Sequence, residues 1–151
     1  GDAKDKHDIL HASRDAERFR LSINLAAWAA ASIEIEGASA VSLIEDRYFA
    51  VPDRSDKELK EVFRALSLHG NEGRIELRGR IVAAYGKLLA VHPEMSASIA
   101  NDLLAWKRTE WAGKLTQIKA SHADLDASAT KAIGLYLRQV ETAEGAAAAE
   151  P

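Results

Sequence analysis

The sequence predicts an all-α fold made of antiparallel helix pairs, with a closed helical bundle as the alternative arrangement of the same elements. Three observations carry this. The stretch from Ser55 to Glu94 reads as helix, short polar turn, helix and the start of a third helix. Only Pro52, Pro93 and Pro151 interrupt a chain rich in alanine and leucine, and no segment alternates apolar and polar residues between hairpin turns. Helix starts also recur at about 35 to 40 residues, the spacing that two-helix repeats produce.

The expected organisation is a frayed lead over 1–12, one helical domain of about seven helices over 13–142, and an alanine- and glutamate-rich tail over 143–151. A first helix is expected from about Ser13 to Ile35, with Phe19, Ile23, Ala26, Ala27 and Ala30 inward, and Gly37 ends it. A second spans Ala40 to about Tyr48, with Val41, Ile44 and Tyr48 at helical spacing. Tyr48 to Pro52 reads as an extended connection, because the residue before a proline is pushed out of the helical region.

Ser55-Asp56-Lys57-Glu58 is a capping box, and behind it Leu59, Val62, Phe63 and Leu66 fall on one apolar stripe. Gly70-Asn71-Glu72-Gly73 reads as the turn, followed by a helix from Arg74 with Ile81, Val82, Tyr85, Leu88 and Leu89 inward. Pro93 suits the first turn of the next helix, where its missing N–H costs nothing, and Met95, Ile99, Leu103 and Trp106 mark that stripe. Lys107-Arg108-Thr109 forms a turn before a short helix carrying Trp111, Leu115 and Ile118. After a polar loop from Ser121, Asp126 is the expected N-cap of a last helix that buries Ala129, Ile133, Tyr136, Leu137 and Val140.

A length of 151 residues suits one domain, and 47% hydrophobic with 28% charged content is ordinary for a globular chain. The formal net charge of -3 gives no reason to expect nucleic acid as a specific partner. Cysteine is absent, which excludes a disulfide framework, a thiolate nucleophile and a thiolate metal site. No stretch approaches the roughly 20 apolar residues of a membrane span, so no membrane insertion is expected. The compartment and the oligomeric state are left open.

The segment Glu58-Leu59-Lys60-Glu61-Val62-Phe63-Arg64-Ala65-Leu66, running into Leu68-His69-Gly70, and the segment Ala132-Ile133-Gly134-Leu135-Tyr136-Leu137 have the make-up of helices in a stacked repeat. Over roughly residues 43–139 the chain resembles HEAT-like, armadillo-type helical repeat proteins. Two departures stand against the pattern. Val51-Pro52-Asp53 and His92-Pro93-Glu94 only approximate the Asp-Pro that enters such repeats, and the long first helix fits no repeat cleanly. The resemblance implies a short right-handed solenoid of stacked pairs. It also implies a non-catalytic module that binds protein or peptide, or that spaces other domains of a longer chain.

Candidate chemistry is sparse. His7 and His11, with Asp15, share one helix face, but no second histidine-rich segment lies near to complete a metal site. His69 is placed to cap its own helix, His92 to sit at a junction and His122 in a loop. HEAT-like hydroxylases hold iron on adjacent His-Glu pairs; this chain has none, so that activity is not carried over, and no cofactor is expected. Glu34, Glu36, Glu45 and Asp46 flank one glycine turn and read as a solvated helix end. The alternative function, a helical-bundle enzyme or small-ligand binding protein, would need Glu45, His69 and His92 to converge. The favoured binding residues are Trp106, Lys107, Arg108 and Trp111, with Arg78 nearby, because a partly exposed tryptophan beside cations suits a peptide contact; the competing reading packs both rings in the core.

Overall fold

Residues 24–122 and 125–149 are described in the structure, a computed structural model, and among them there are seven α-helices and no strand. Helix α1 is Leu25–Glu36 and α2 is Ala38–Ile44, which continues as a π-helical turn over Glu45–Phe49. Helix α3 is Asp56–Glu72; a 3-10 turn at Ile75–Leu77 leads into α4, Arg78–Val91. A second 3-10 turn at Pro93–Met95 leads into α5, Ser96–Ala105, followed by α6, Ala112–Ser121, and α7, Ala127–Ala149. His7, His11, Asp15, Phe19 and Ile23 lie outside the described residues.

Several starts and stops follow the local chemistry. Ser55 Oγ accepts from the Glu58 N–H at 3.2 Å, the hydroxyl half of the capping box. The reciprocal half differs: the Glu58 carboxylate accepts from the Ser55 hydroxyl and pairs with Arg54 at 3.0 Å. Asp126 caps α7 by accepting from the Ala129 N–H at 2.7 Å. Gly37 turns the chain from α1 into α2 with φ of +59°, a conformation in which a Cβ would be strained.

Three local expectations are corrected. Tyr48 to Ala50 is not extended: Tyr48 and Phe49 belong to the π-helical turn and Ala50 is helical, so the constraint from Pro52 reaches no further back than Val51. The second helix begins at Ala38, directly after the Gly37 pivot. Gly70, Asn71 and Glu72 do not form a turn but complete α3, and only Gly73 ends it. Helix α7 runs through the alanine-rich segment as far as Ala149.

The broadest contacts are α1 with α3 and α5 with α7. Polar bonds show how neighbours are aligned. The His69 ring at the end of α3 meets the Ala30 carbonyl of α1 at 2.9 Å, and Arg74 donates to the carbonyls of Ile33 and Glu34 at 3.0 and 3.3 Å. Those C-terminal ends lie together, so α1 and α3 run parallel. Ser67 with Asp102, and Asn71 with Trp106, align α3 and α5 in the same sense. Behind them, Arg80 of α4 bonds Ser42 and Glu45, and His92 past the end of α4 meets the Val51 carbonyl at 2.9 Å. Leu59, Leu66, Ile81, Leu88, Ile99 and Leu115 are fully buried in one continuous core.

Candidate functional site

The five residues singled out as a binding set divide into core and surface. Both indoles are core: Trp106 is 8% exposed and Trp111 5%. Trp106 stacks on Tyr85 with ring centroids 5.9 Å apart, and Tyr85 stacks on Phe63 at 4.9 Å. Its Nε1–H donates to Asn71 Oδ1 at 2.8 Å, and the ring lies against Gly70, where a Cβ would come within 2.2 Å of Cζ2. This contact explains a glycine inside α3: the helix accepts its lower propensity because no side chain fits under the indole. Arg78 belongs to the same assembly, its guanidinium 5.8 Å from the Trp106 ring and its Nε donating to the Gly70 carbonyl.

Lys107 and Arg108 occupy the turn that ends α5. The Lys107 N–H bonds the Leu104 carbonyl at 3.2 Å and the Arg108 N–H bonds Leu103 at 2.8 Å, a Schellman termination. Its left-handed residue is Lys107, with φ of +57°, where glycine is usual. Lys107 is exposed, while Arg108 pairs with Glu110 at 3.3 Å and gives its carbonyl to the Tyr136 hydroxyl. The Tyr136 oxygen in turn accepts the Trp111 N–H at 3.2 Å, tying α7 to this turn.

The residues of the enzyme-like alternative are committed to separate partners. His69 does not cap its own helix: Nε2 meets Ala30 of α1, and Nδ1 lies 3.8 Å from the Glu34 carboxylate. A ring facing the core from the inner side of α3 reaches the neighbouring helix more readily than its own last carbonyls. His92 spans the Val51 carbonyl and Glu94, and Glu45 is paired with Arg80 at 2.5 Å. Among the described residues no three histidine or carboxylate side chains gather in a metal-binding group.

One buried acid escaped the sequence reading. Asp102 of α5 is 8% exposed and accepts from Ser67 at 2.9 Å and from the Tyr85 hydroxyl at 2.6 Å. Burial pushes its carboxyl above the usual range, and the two hydrogen bonds pull the other way. Burial, with the Asp102 charge and hydrogen bond added, holds the Tyr85 phenol well above its ordinary value, so it stays a donor. The signal was available: Asp102 falls between Ile99 and Trp106 at three- and four-residue spacings, a carboxylate on an apolar stripe.

Several clefts open at the surface among the described residues. An apolar one of about 260 Å³ lies between α5 and α7, lined by Leu103, Leu104, Lys107, Tyr136 and Val140 among others. A shallow one of about 210 Å³ separates α4 from α6 at Gly86 and Ile118. Pro93, Glu94, His122 and Asp126 share a cleft of about 170 Å³ at the starts of α5 and α7. Another, about 350 Å³, lies between α6 and α7 and is lined by Lys119, Lys131, Gly134, Leu137, Arg138 and Glu141. No helix among the described residues is long and apolar enough to cross a membrane. Comparison with protein-family models, with curated proteins and with solved structures finds no match to this chain.

Proposed function

We propose that this chain is a non-catalytic helical repeat module, a short HEAT-like right-handed array whose work is to bind a protein or peptide or to space other domains. One observation carries the reading: the polar side chains that chemistry would use are spent on ties between helices. His69, Arg74, Arg80, Asp102 and Trp106 each bond a residue 35 to 41 positions away, about one repeat length. Such ties hold each pair to the next and leave cations and clefts, including exposed Lys107, at the surface for recognition. Enzyme chemistry on Asp102 finds little support, because both its oxygens are engaged and it lines none of the clefts described above.

The test of the array is an experimental structure. A right-handed succession of pairs, with α1, α3, α5 and α7 side by side on one face, is expected; a closed bundle overturns it. The test of binding is selection of helical peptides displayed on phage against the immobilised chain. Enrichment of a shared sequence that binds the free protein at micromolar concentration is expected, and no enrichment over a blank surface removes the binding function.

A further inference from the structure

We propose that the cleft between α6 and α7 is a seat for an acidic amphipathic helix of a partner protein. The proposal rests on the module reading above but names a site and a partner chemistry which that reading does not require. In the packing of this chain α1 is followed by α3, α2 by α4 and α5 by α7 laid against its side, and α3 is tied to α5 by hydrogen bonds. Helix α7 packs broadly against α5 and less broadly against α6, and no other described element makes more than a slight contact with it, which leaves one flank open at this cleft. That flank carries Lys131, Gly134, Arg138 and Glu141, which follow the three- and four-residue steps of one helix stripe.

The chemistry of the lining selects the occupant. Lys119 from α6, with Lys131 and Arg138 from α7, sets three cations against the single carboxylate of Glu141. None of the three has a carboxylate of the described residues within ion-pair distance. The patch also opposes the sign of the whole chain, whose net charge is -3. Between the cations the floor is Gly134 and half-buried Leu137, and a Cβ built on Gly134 meets nothing within 4 Å. A neighbouring backbone can therefore approach α7 closely there, as packed helices do at about 8–10 Å between axes. An aliphatic side chain would cover Leu137 while carboxylates on either side reach the cations, which is recognition of a helix laid in a groove. A nucleic acid fits less well, because no aromatic side chain lines the cleft to stack a base.

The experiment uses helical peptides displayed on phage, selected in parallel on the wild-type chain and on a variant with Lys119→Glu, Lys131→Glu and Arg138→Glu. All three residues are exposed, and matching circular dichroism and melting temperature verify that the variant folds. On the wild type, enrichment of sequences with leucine or isoleucine at four-residue spacing flanked by Asp and Glu is expected. The best of these should perturb the amides of Lys119, Lys131, Gly134, Leu137 and Arg138, and bind the variant at least about tenfold more weakly, each rim charge contributing a factor of a few. The variant should select basic sequences instead. Acidic peptides that perturb another face, or neutral and basic peptides on the wild type, overturn the seat while leaving the module reading standing. No enrichment on either protein removes both. A 20-nucleotide single-stranded RNA that perturbs the same amides more tightly than the selected peptides overturns the partner class.

Discussion

The joint between α3 and α5 and the flank between α6 and α7 use polar residues in opposite ways. At the joint, Ser67, Asp102, Tyr85, Asn71 and Trp106 are bonded to one another across 17 or 35 positions, under a stack of three aromatic rings. At the flank, Lys119, Lys131 and Arg138 are exposed and have no ion-pair partner among the described residues. A buried polar network specifies which surfaces meet, because any other pairing leaves its donors and acceptors unsatisfied at a cost of about 1–3 kcal/mol each. A solvated cluster of like charge contributes little to the fold and is free to attract an opposite charge. The two regions therefore predict different responses to the same kinds of substitution.

The largest expected difference comes from adding one methyl group at the joint. Gly70→Ala places a Cβ about 2.2 Å from the Trp106 ring, which has no free direction: Asn71 holds its N–H and Tyr85 its face. Helix propensity alone would make alanine stabilising, so a net loss isolates the packing conflict. Urea denaturation should show a loss of about 2–3 kcal/mol. An unchanged or raised midpoint would mean that the indole is mobile and the joint is not specified there.

Tyr85→Phe tests the buried acid rather than the packing. It removes the donor to Asp102 and should cost about 2 kcal/mol at pH 7 by denaturation. The sign with pH follows from linkage. The Asp102 carboxyl is raised in the folded state, so its contribution favours folding most below the unfolded value of about 3.9 and is lost as pH rises through the folded value. Loss of a hydrogen bond that lowers this pKa raises it further, so the cost of the substitution should shrink as the solution is acidified toward pH 4. A cost independent of pH would show that the network does not hold a charged Asp102.

These two residues also mark where the sequence was legible. Local signals were read correctly: the hydroxyl at Ser55, the carboxylate at Asp126 and the pivot at Gly37 act on backbone groups within a few residues. The all-helical class followed from propensity summed over long windows. What failed was decided at long range. Gly70 reads as a breaker until Trp106, 36 positions on, is seen to need the missing side chain. His69 looks like a cap until α1 supplies a carbonyl to its ring. The predicted binding set put Trp106 and Trp111 beside cations; the turn between them was legible, but five-residue spacing could not decide between one exposed ring and two buried ones, and both are buried.

A smaller effect lies at the turn between the two regions. Lys107 has φ of +57° at the end of α5, and both Schellman hydrogen bonds depend on that conformation. Lys107→Gly removes the Cβ conflict of a left-handed residue and should raise stability by about 1 kcal/mol. The flexibility of glycine in the unfolded chain takes back part of any larger gain. A fall in melting temperature would mean that the lysine side chain contributes more than its backbone strain costs, through the carbonyl end of α5 or through the neighbouring cleft.

Gly134→Ala is the counterpart of Gly70→Ala and should have the opposite sign. Both glycines lie inside long helices, so alanine recovers the same backbone entropy at each, about 0.5–1 kcal/mol. At Gly134 nothing stands within 4 Å of the new methyl group, so the gain should appear almost undiminished as a higher urea midpoint. At the proposed seat the same methyl group would hold a partner helix away from α7. Stability should therefore rise while affinity for the selected acidic peptides falls. Higher stability with unchanged peptide affinity would separate the open flank from the binding site, leaving Gly134 as a position that simply lacks a neighbour.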